Sequence, residues 1–256
     1  MSKRLIALIA ALLLGASIGS GGASGRTDSA ITVFAASSLT DVLPAIDKTA
    51  IYSFAGSNAL AAQITNGAPA DVFASANTAL PAQLYAAGVV QRPVNFTRNT
   101  LVIVVPRSNP AGIHSVYDLA NEGIKIDLAA PAVPVGAYTL QILRQMGLMQ
   151  KVLPNVVSQE SDVRTVLSKV ALGQADAGFV YATDARSVSG DVTVIKVPAW
   201  AQPKVTYAMA VVTRSPNQAA AQAFVKKVLS KAGQATLARY GFLALPKPVT
   251  GATAGI

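Results

Sequence analysis

Ala35-Ala36-Ser37-Ser38-Leu39-Thr40-Asp41 is the stretch on which the reading of this chain turns. It ends an apolar, strand-like run over residues 31–36 and leads into residues compatible with a helix. A strand that passes straight into a helix leaves unpaired N–H groups, and the positive end of the helix dipole, facing outward. Three further stretches have the same character: Phe54-Ala55-Gly56-Ser57-Asn58-Ala59-Leu60, Ala132-Val133-Pro134-Val135-Gly136 and Glu160-Ser161-Asp162-Val163-Arg164. At least three of the four lie at a strand-to-helix junction, and none carries Lys, Arg or His at its centre. Brought together, they would hold a small, fully ionised anion through hydroxyls and backbone amides, without formal countercharge.

The rest of the chain supplies a frame for such junctions. Residues 31–36, 52–54, 71–75, 101–105, 124–129, 177–181, 192–197 and 205–212 read as strands. Helical periodicity runs through residues 58–66, Leu80 to Tyr85, 135–146, 162–172, 217–229 and 234–240. Strands alternating with helices predict parallel α/β sheets covered on both faces. The turn-rich segment 107–115 is the expected crossing between two lobes.

With 52% apolar and only 13% charged residues, the chain can bury a core, and intrinsic disorder is excluded. The net charge of +9 includes no block of five like charges and no basic stripe interleaved with aromatics, so nucleic acid is not an expected partner. Lys3-Arg4, an apolar run over residues 5–14 and small residues over 15–25 predict a secretory signal peptide at residues 1–25, cleaved near Ala23-Ser24-Gly25. The absence of cysteine excludes thiol catalysis, Cys-ligated metals and a lipid anchor on an N-terminal Cys.

Enzyme signatures are scarce. The single histidine, His114, lies in a Pro-Ala-Gly-Ile-His-Ser loop with no nucleophile paired to it in the sequence. Zinc-hydrolase spacing needs two histidines, and the Gly-Lys-Ser/Thr phosphate loop, the Gly-x-Gly-x-x-Gly turn and the Ser-x-x-Lys arrangement do not occur. Glu160 and Asp162, two residues apart on a turn, are the pattern of a helix cap rather than of an acid/base pair. No catalytic residue and no cofactor is expected.

At the quoted stretches the chain resembles the periplasmic molybdate-binding proteins of ABC transporters, the ModA family. Thr32-Val33-Phe34-Ala35-Ala36-Ser37-Ser38-Leu39-Thr40 is similar to that family's opening strand and first binding turn. Ser53-Phe54-Ala55-Gly56-Ser57, Gly67-Ala68-Pro69-Ala70-Asp71-Val72-Phe73, Val133-Pro134-Val135-Gly136, Asp162-Val163-Arg164, the segment 178–185 and Arg239-Tyr240-Gly241-Phe242 follow in the family's order. The resemblance runs from residue 31 to 246. It implies a two-lobed, type II periplasmic-binding-protein-like α/β fold with the ligand cleft between lobes 31–104 plus 207–256 and 105–206.

It further implies that molybdate, and also tungstate, is held as the oxyanion. The implied ligands are Ser38 and Ser57 through hydroxyl and N–H, Val135 and Val163 through N–H, and Tyr181 through its phenol. Read from the residues alone, Ser38 with Asp41 could be a capping box, Ser57 a cap, Val135 and Val163 core residues and Tyr181 a strand-end aromatic. The chain departs from the family between Leu39 and Phe54, where it is shorter by roughly two helical turns. The implied whole is a monomeric, periplasmic solute-binding protein serving an ABC permease. A sulfate or other oxyanion binder, an exported enzyme on the same fold and a regulatory effector domain are the alternatives; the signal peptide disfavours the last.

Overall fold

The computed structural model describes residues 30–246; the expected signal peptide at 1–25 and the last ten residues of the expected first lobe lie outside them. The first sheet contains β1 (Thr32–Ala36), β2 (Ile51–Ala55), β3 (Val72–Ser75) and β4 (Val94–Asn99), and the second opens with β5 (Leu101–Pro106). Helices α1 (Val42–Ile46), α2 (Ser57–Thr65) and α3 (Ala79–Ala86) connect the first three strands onward. The second sheet continues with β6 (Ile126–Ala129), β7 (Val156–Glu160), β8 (Ala177–Tyr181) and β9 (Val192–Lys196). It is interleaved with α4 (Pro134–Gln145), α5 (Met149–Val152), α6 (Val163–Ala171) and α7 (Ala182–Ser187). The chain returns through β10 (Val205–Val211) and closes with α8 (Gln218–Leu229) and α9 (Lys231–Arg239).

The two five-stranded sheets have the orders β2-β1-β3-β10-β4 and β7-β6-β8-β5-β9. β1 pairs parallel with β2 and β3, and β6 pairs parallel with β7 and β8, but β10 and β5 run antiparallel to their neighbours. The sheets are therefore mixed, which corrects the expectation of purely parallel ones. The antiparallel strands are those that bring the chain into each sheet from the other.

The crossings also differ from expectation. All of β5 pairs within the second sheet, so the first crossing is Thr100, between Asn99 and Leu101, and not the segment 107–115. The expected 104/105 boundary cuts β5, and the 206/207 boundary cuts β10, which starts at Val205 in the first sheet. Segment 107–115 is a loop of the second lobe, in which Asn109 (φ 44°) bonds back to Ile113 and Ser115 forms a capping box with Asp118. The two true crossings are tied side to side. The Leu101 N–H donates to the Gln202 Oε1 (3.1 Å), and the Gln202 Nε2 donates to the Leu101 carbonyl (2.7 Å).

Each face of the first sheet buries its own apolar set, as period-two alternation requires. Phe34 and Phe73 pack on Leu60, Ile64 and Leu84, while Val33 and Ala35 join the core that includes Leu39, Leu43, Phe224, Val228 and Leu237. Truncating a buried leucine such as Leu60 to alanine typically costs about 2–5 kcal/mol. The shortened β1-to-β2 connection is met by a five-residue α1. Its Pro44 is the third helical residue, where the N–H would have no intrahelical acceptor, so the proline costs no hydrogen bond. Among the described residues, no helix is long and apolar enough to cross a membrane.

Candidate oxyanion site

All four junction stretches sit at the C-terminal ends of strands, where ligand crevices of α/β sheets form. β1 passes into a 3-10 turn at Ser37–Leu39, β2 into α2, β6 through 130–133 into α4, and β7 through Ser161-Asp162 into α6. The two sheets present these ends to each other. Ser38, Ser57, Val135, Val163 and Tyr181, scattered over more than 140 positions of sequence, line one small, tight cavity. Ser37, Gly56, Ala76 and Pro134 complete much of its wall, and no charged side chain lines it.

The helix starts at this cavity keep their donors. Gly56 precedes α2 and Val133 precedes α4, and neither supplies a side-chain cap, so the N–H groups of Ser57 and Val135 have no intrahelical acceptor and no capping oxygen. In α6 the cap exists but is selective: Asp162 accepts from the N–H groups of Arg164 (2.8 Å) and Thr165 (3.2 Å). The Val163 N–H, one residue nearer the cavity, is left unspent. The capping role read for Asp162 thus coexists with a free donor beside it.

The hydroxyls are poised in the same sense. Ser57 Oγ accepts the Ala76 N–H (3.1 Å), which leaves its own proton to donate. Ser38 Oγ lies 2.9 Å from Tyr207 Oη, and Asn99 Nδ2 donates to Thr183 Oγ1 (2.9 Å) and to Tyr207 Oη (3.4 Å). The arrangement that uses every proton runs Asn99 to Tyr207 to Ser38, with the Ser38 hydrogen free for the cavity. Ser38 does not cap α1, and its proposed capping partner Asp41 instead pairs with Arg164. Tyr181 Oη is buried and has no hydrogen-bond partner, a costly state unless something enters the cavity to accept from it. Burial, reinforced by Tyr207, raises the phenol well above the usual tyrosine range, so Tyr181 is a neutral donor.

Two glycines let the walls approach. A Cβ on Gly56 would lie 2.3 Å from the Ser161 carbonyl oxygen of the facing lobe, and one on Gly136 would lie 2.2 Å from the Ala130 oxygen. Tyr207, Asn99 and the Ala76 N–H escaped the sequence reading. Tyr207 shows only as a hydroxyl-bearing aromatic inside the otherwise strand-like run of β10, and nothing local marks the other two. His114 lies away from the cavity.

A family model described as bacterial extracellular solute-binding protein matches residues 31–243. The molybdate-binding protein ModA of Mycobacterium bovis is 41% identical over 222 residues, covering 83% of this chain and 84% of that one. Among solved structures, the periplasmic molybdate-binding protein of Azotobacter vinelandii matches with a TM-score of 0.75 at 23% identity, over 85% of this chain and 100% of that one. The sulfate-binding protein SubI from Mycobacterium tuberculosis matches with a TM-score of 0.72 at 20% identity, over 85% and 87%. At such identities both structures speak for the fold alone, and that fold serves two different oxyanion binders.

Proposed function

This chain belongs to the bacterial extracellular solute-binding protein family, and on that premise we propose that it captures molybdate, and with it tungstate, outside the cytoplasmic membrane for delivery to an ABC permease. The observation that carries the reading is the donor-only cavity: five residues from both lobes converge on one uncharged space in which Tyr181 Oη is buried without a partner. The ligand roles follow the convergence. Ser38 and Ser57 donate by hydroxyl and N–H, Val135 and Val163 by N–H, and Tyr181 by its phenol. Molybdenum enters only as the oxyanion. The protein works as an exported, periplasmic monomer whose signal peptide is removed, without cofactor and without catalysis. None of the cavity serines, Ser37, Ser38 or Ser57, faces a histidine or carboxylate that could activate it, since no such residue lines the space.

Closing one lobe on the other about Thr100 and Gln202 would bury the dianion and present a defined face to the permease. Selectivity follows from proton count. Molybdate and sulfate are bare dianions at neutral pH, whereas phosphate keeps a proton that would find no acceptor among these five donors. An unpaired buried O–H costs about 1–3 kcal/mol, roughly fivefold to 150-fold in affinity. Calorimetric titration of the mature protein with molybdate, tungstate, sulfate and phosphate tests the reading. Molybdate binding at least about fivefold tighter than phosphate is expected. Tighter sulfate than molybdate would make it a sulfate binder, and turnover of phosphate or sulfate esters would make it an enzyme.

A further inference from the structure

We propose that Arg164 is a positioning residue that clasps the two lobes together through Asp41 and so sets how long the ligand is held. Arg164 is the second residue of α6, next to Val163, and its backbone N–H is already taken by Asp162, so it offers the cavity no backbone donor. Its guanidinium instead reaches in two directions. On its own lobe, Nε donates to Asp184 Oδ1 (2.9 Å) and Nη1 to Ser187 Oγ (3.1 Å). Across the cleft, Nη2 pairs with Asp41 Oδ2 at 2.5 Å. Among the described residues, this is the one ion pair that joins the two lobes.

The geometry makes the clasp directional. Asp184 is fully buried and fixes the guanidinium from behind, as planar, multiply donating arginine side chains allow, while Asp41 remains 43% exposed at the cleft edge. Opening the lobes therefore breaks the Asp41 contact and leaves the Asp184 contact intact. The two ends also sit on ligand-bearing segments: Asp41 follows Ser38 by three residues, and Arg164 follows Val163 by one. Pulling Asp41 and Arg164 together draws the Ser38 turn and the α6 start toward the same space. The clasp and the ligand contacts close together, and each favours the other.

Asp41→Ala removes the cross-cleft partner without touching the buried Arg164–Asp184 pair, and Asp41→Glu restores it. The first measurement needs no ligand. The chain has no cysteine, so Gln63→Cys on α2 and Gln141→Cys on α4, both exposed, can carry a unique spin-label pair across the cleft. Pulsed electron spin resonance is expected to show a longer and broader distance in Asp41→Ala, recovery in Asp41→Glu, and a wild type that drifts toward the alanine variant at high salt. The second measurement rests on the oxyanion reading: release of molybdate into excess tungstate should be about 1.5- to fivefold faster in Asp41→Ala, the span of a partly exposed ion pair. Association should change less than release, and release from the variant should lose its salt dependence. Unchanged distance distributions in Asp41→Ala at low salt would overturn the clasp. A wild type that binds no oxyanion while the distances shift would leave the clasp standing and remove the proposed ligand.

Discussion

Gly56→Ala should separate cleft closure from folding. The backbone of Gly56 (φ −59°, ψ 135°) suits alanine without strain, so the added methyl acts only through what it meets. That is chiefly the Ser161 carbonyl oxygen of the opposite lobe, 2.3 Å from the new Cβ; the Asn58 Oδ1, at 2.9 Å, is the end of a side chain that can turn aside. Ordinary carbon–oxygen contact begins near ~3.3 Å, so the lobes must part by about 1 Å at this point. Donors aimed at a ligand from about 2.9 Å would then stand near ~3.9 Å, outside hydrogen-bond range. Val163 lies two residues from Ser161 and is the first to lose its contact.

One bond to a charged ligand is worth about 1.5–3 kcal/mol, so Kd should rise by roughly ten- to 150-fold. The unliganded protein can open, and its melting temperature should stay put. Ligand-induced stabilisation is the assay. Molybdate at 100 times the wild-type Kd stabilises by about 2.7 kcal/mol, and a tenfold weaker variant retains about 1.4 kcal/mol. Gly190→Ala, where a methyl would meet open space, is the control and should bind normally. A Gly56→Ala protein that binds molybdate within twofold of wild type would refute closure at this contact.

Tyr181→Phe deletes a buried hydroxyl that has no partner, so unfolding free energy should hold or rise slightly while molybdate affinity falls by about tenfold or more; a loss of stability with affinity kept would make the phenol structural. Ser57→Ala should weaken binding by about 1.5–3 kcal/mol and also cost stability, because the Ala76 N–H loses its acceptor. Val163→Ala keeps its N–H and should weaken binding far less; equal effects in calorimetry would remove Ser57 from the ligand set. Asp127 is buried with neither oxygen hydrogen-bonded, and burial, with Glu160 nearby and against Lys169, raises its carboxyl to about 7. The folded protein thus holds this proton more tightly than the unfolded chain, and stability falls as pH rises from about 4 to about 7. Asp127→Asn, which cannot titrate, should gain on wild type by about 2–4 kcal/mol between those limits in urea unfolding at pH 4.5 and pH 8. A pH-independent difference would sink that account.

Much of the fold was legible because burial leaves periodic marks. Strands covered on both faces, such as β5 with its run of six buried residues, read as continuous apolar segments. Helices α4 and α6 announced themselves by one apolar face each, closed by Gly147 in one case and opened by Asp162 in the other. β4 and β7 carry little strand signal because they are edge strands with polar residues on more than half their positions, and Val-Asn-Phe-Thr-Arg-Asn has no more strand character than a loop until β10 pairs with it. The crossing at Thr100 is hidden for a similar reason. Turn-forming residues mark where a chain bends, and a single threonine between two strands of different sheets bends nothing visible in the sequence.

The same division holds at the site. The sequence by itself determined that Ser38, Ser57, Val135 and Val163 stand where strands give way to helices, because a helix start must leave N–H groups unpaired wherever it occurs. It could not say that these starts face one another. That depends on two sheets turning the C-terminal ends of their strands toward each other across a cleft, with Gly56 thin enough to let Ser161 approach. Nor could it direct the protons. Tyr207 reaches Ser38, and Asn99 reaches Tyr207, from strands far along the chain, and the Ala76 N–H reaches Ser57 from just past the end of β3. Local chemistry supplied the donors; only tertiary contact decides which of them remain free to give a hydrogen bond, because a donor's availability depends on every acceptor packed around it.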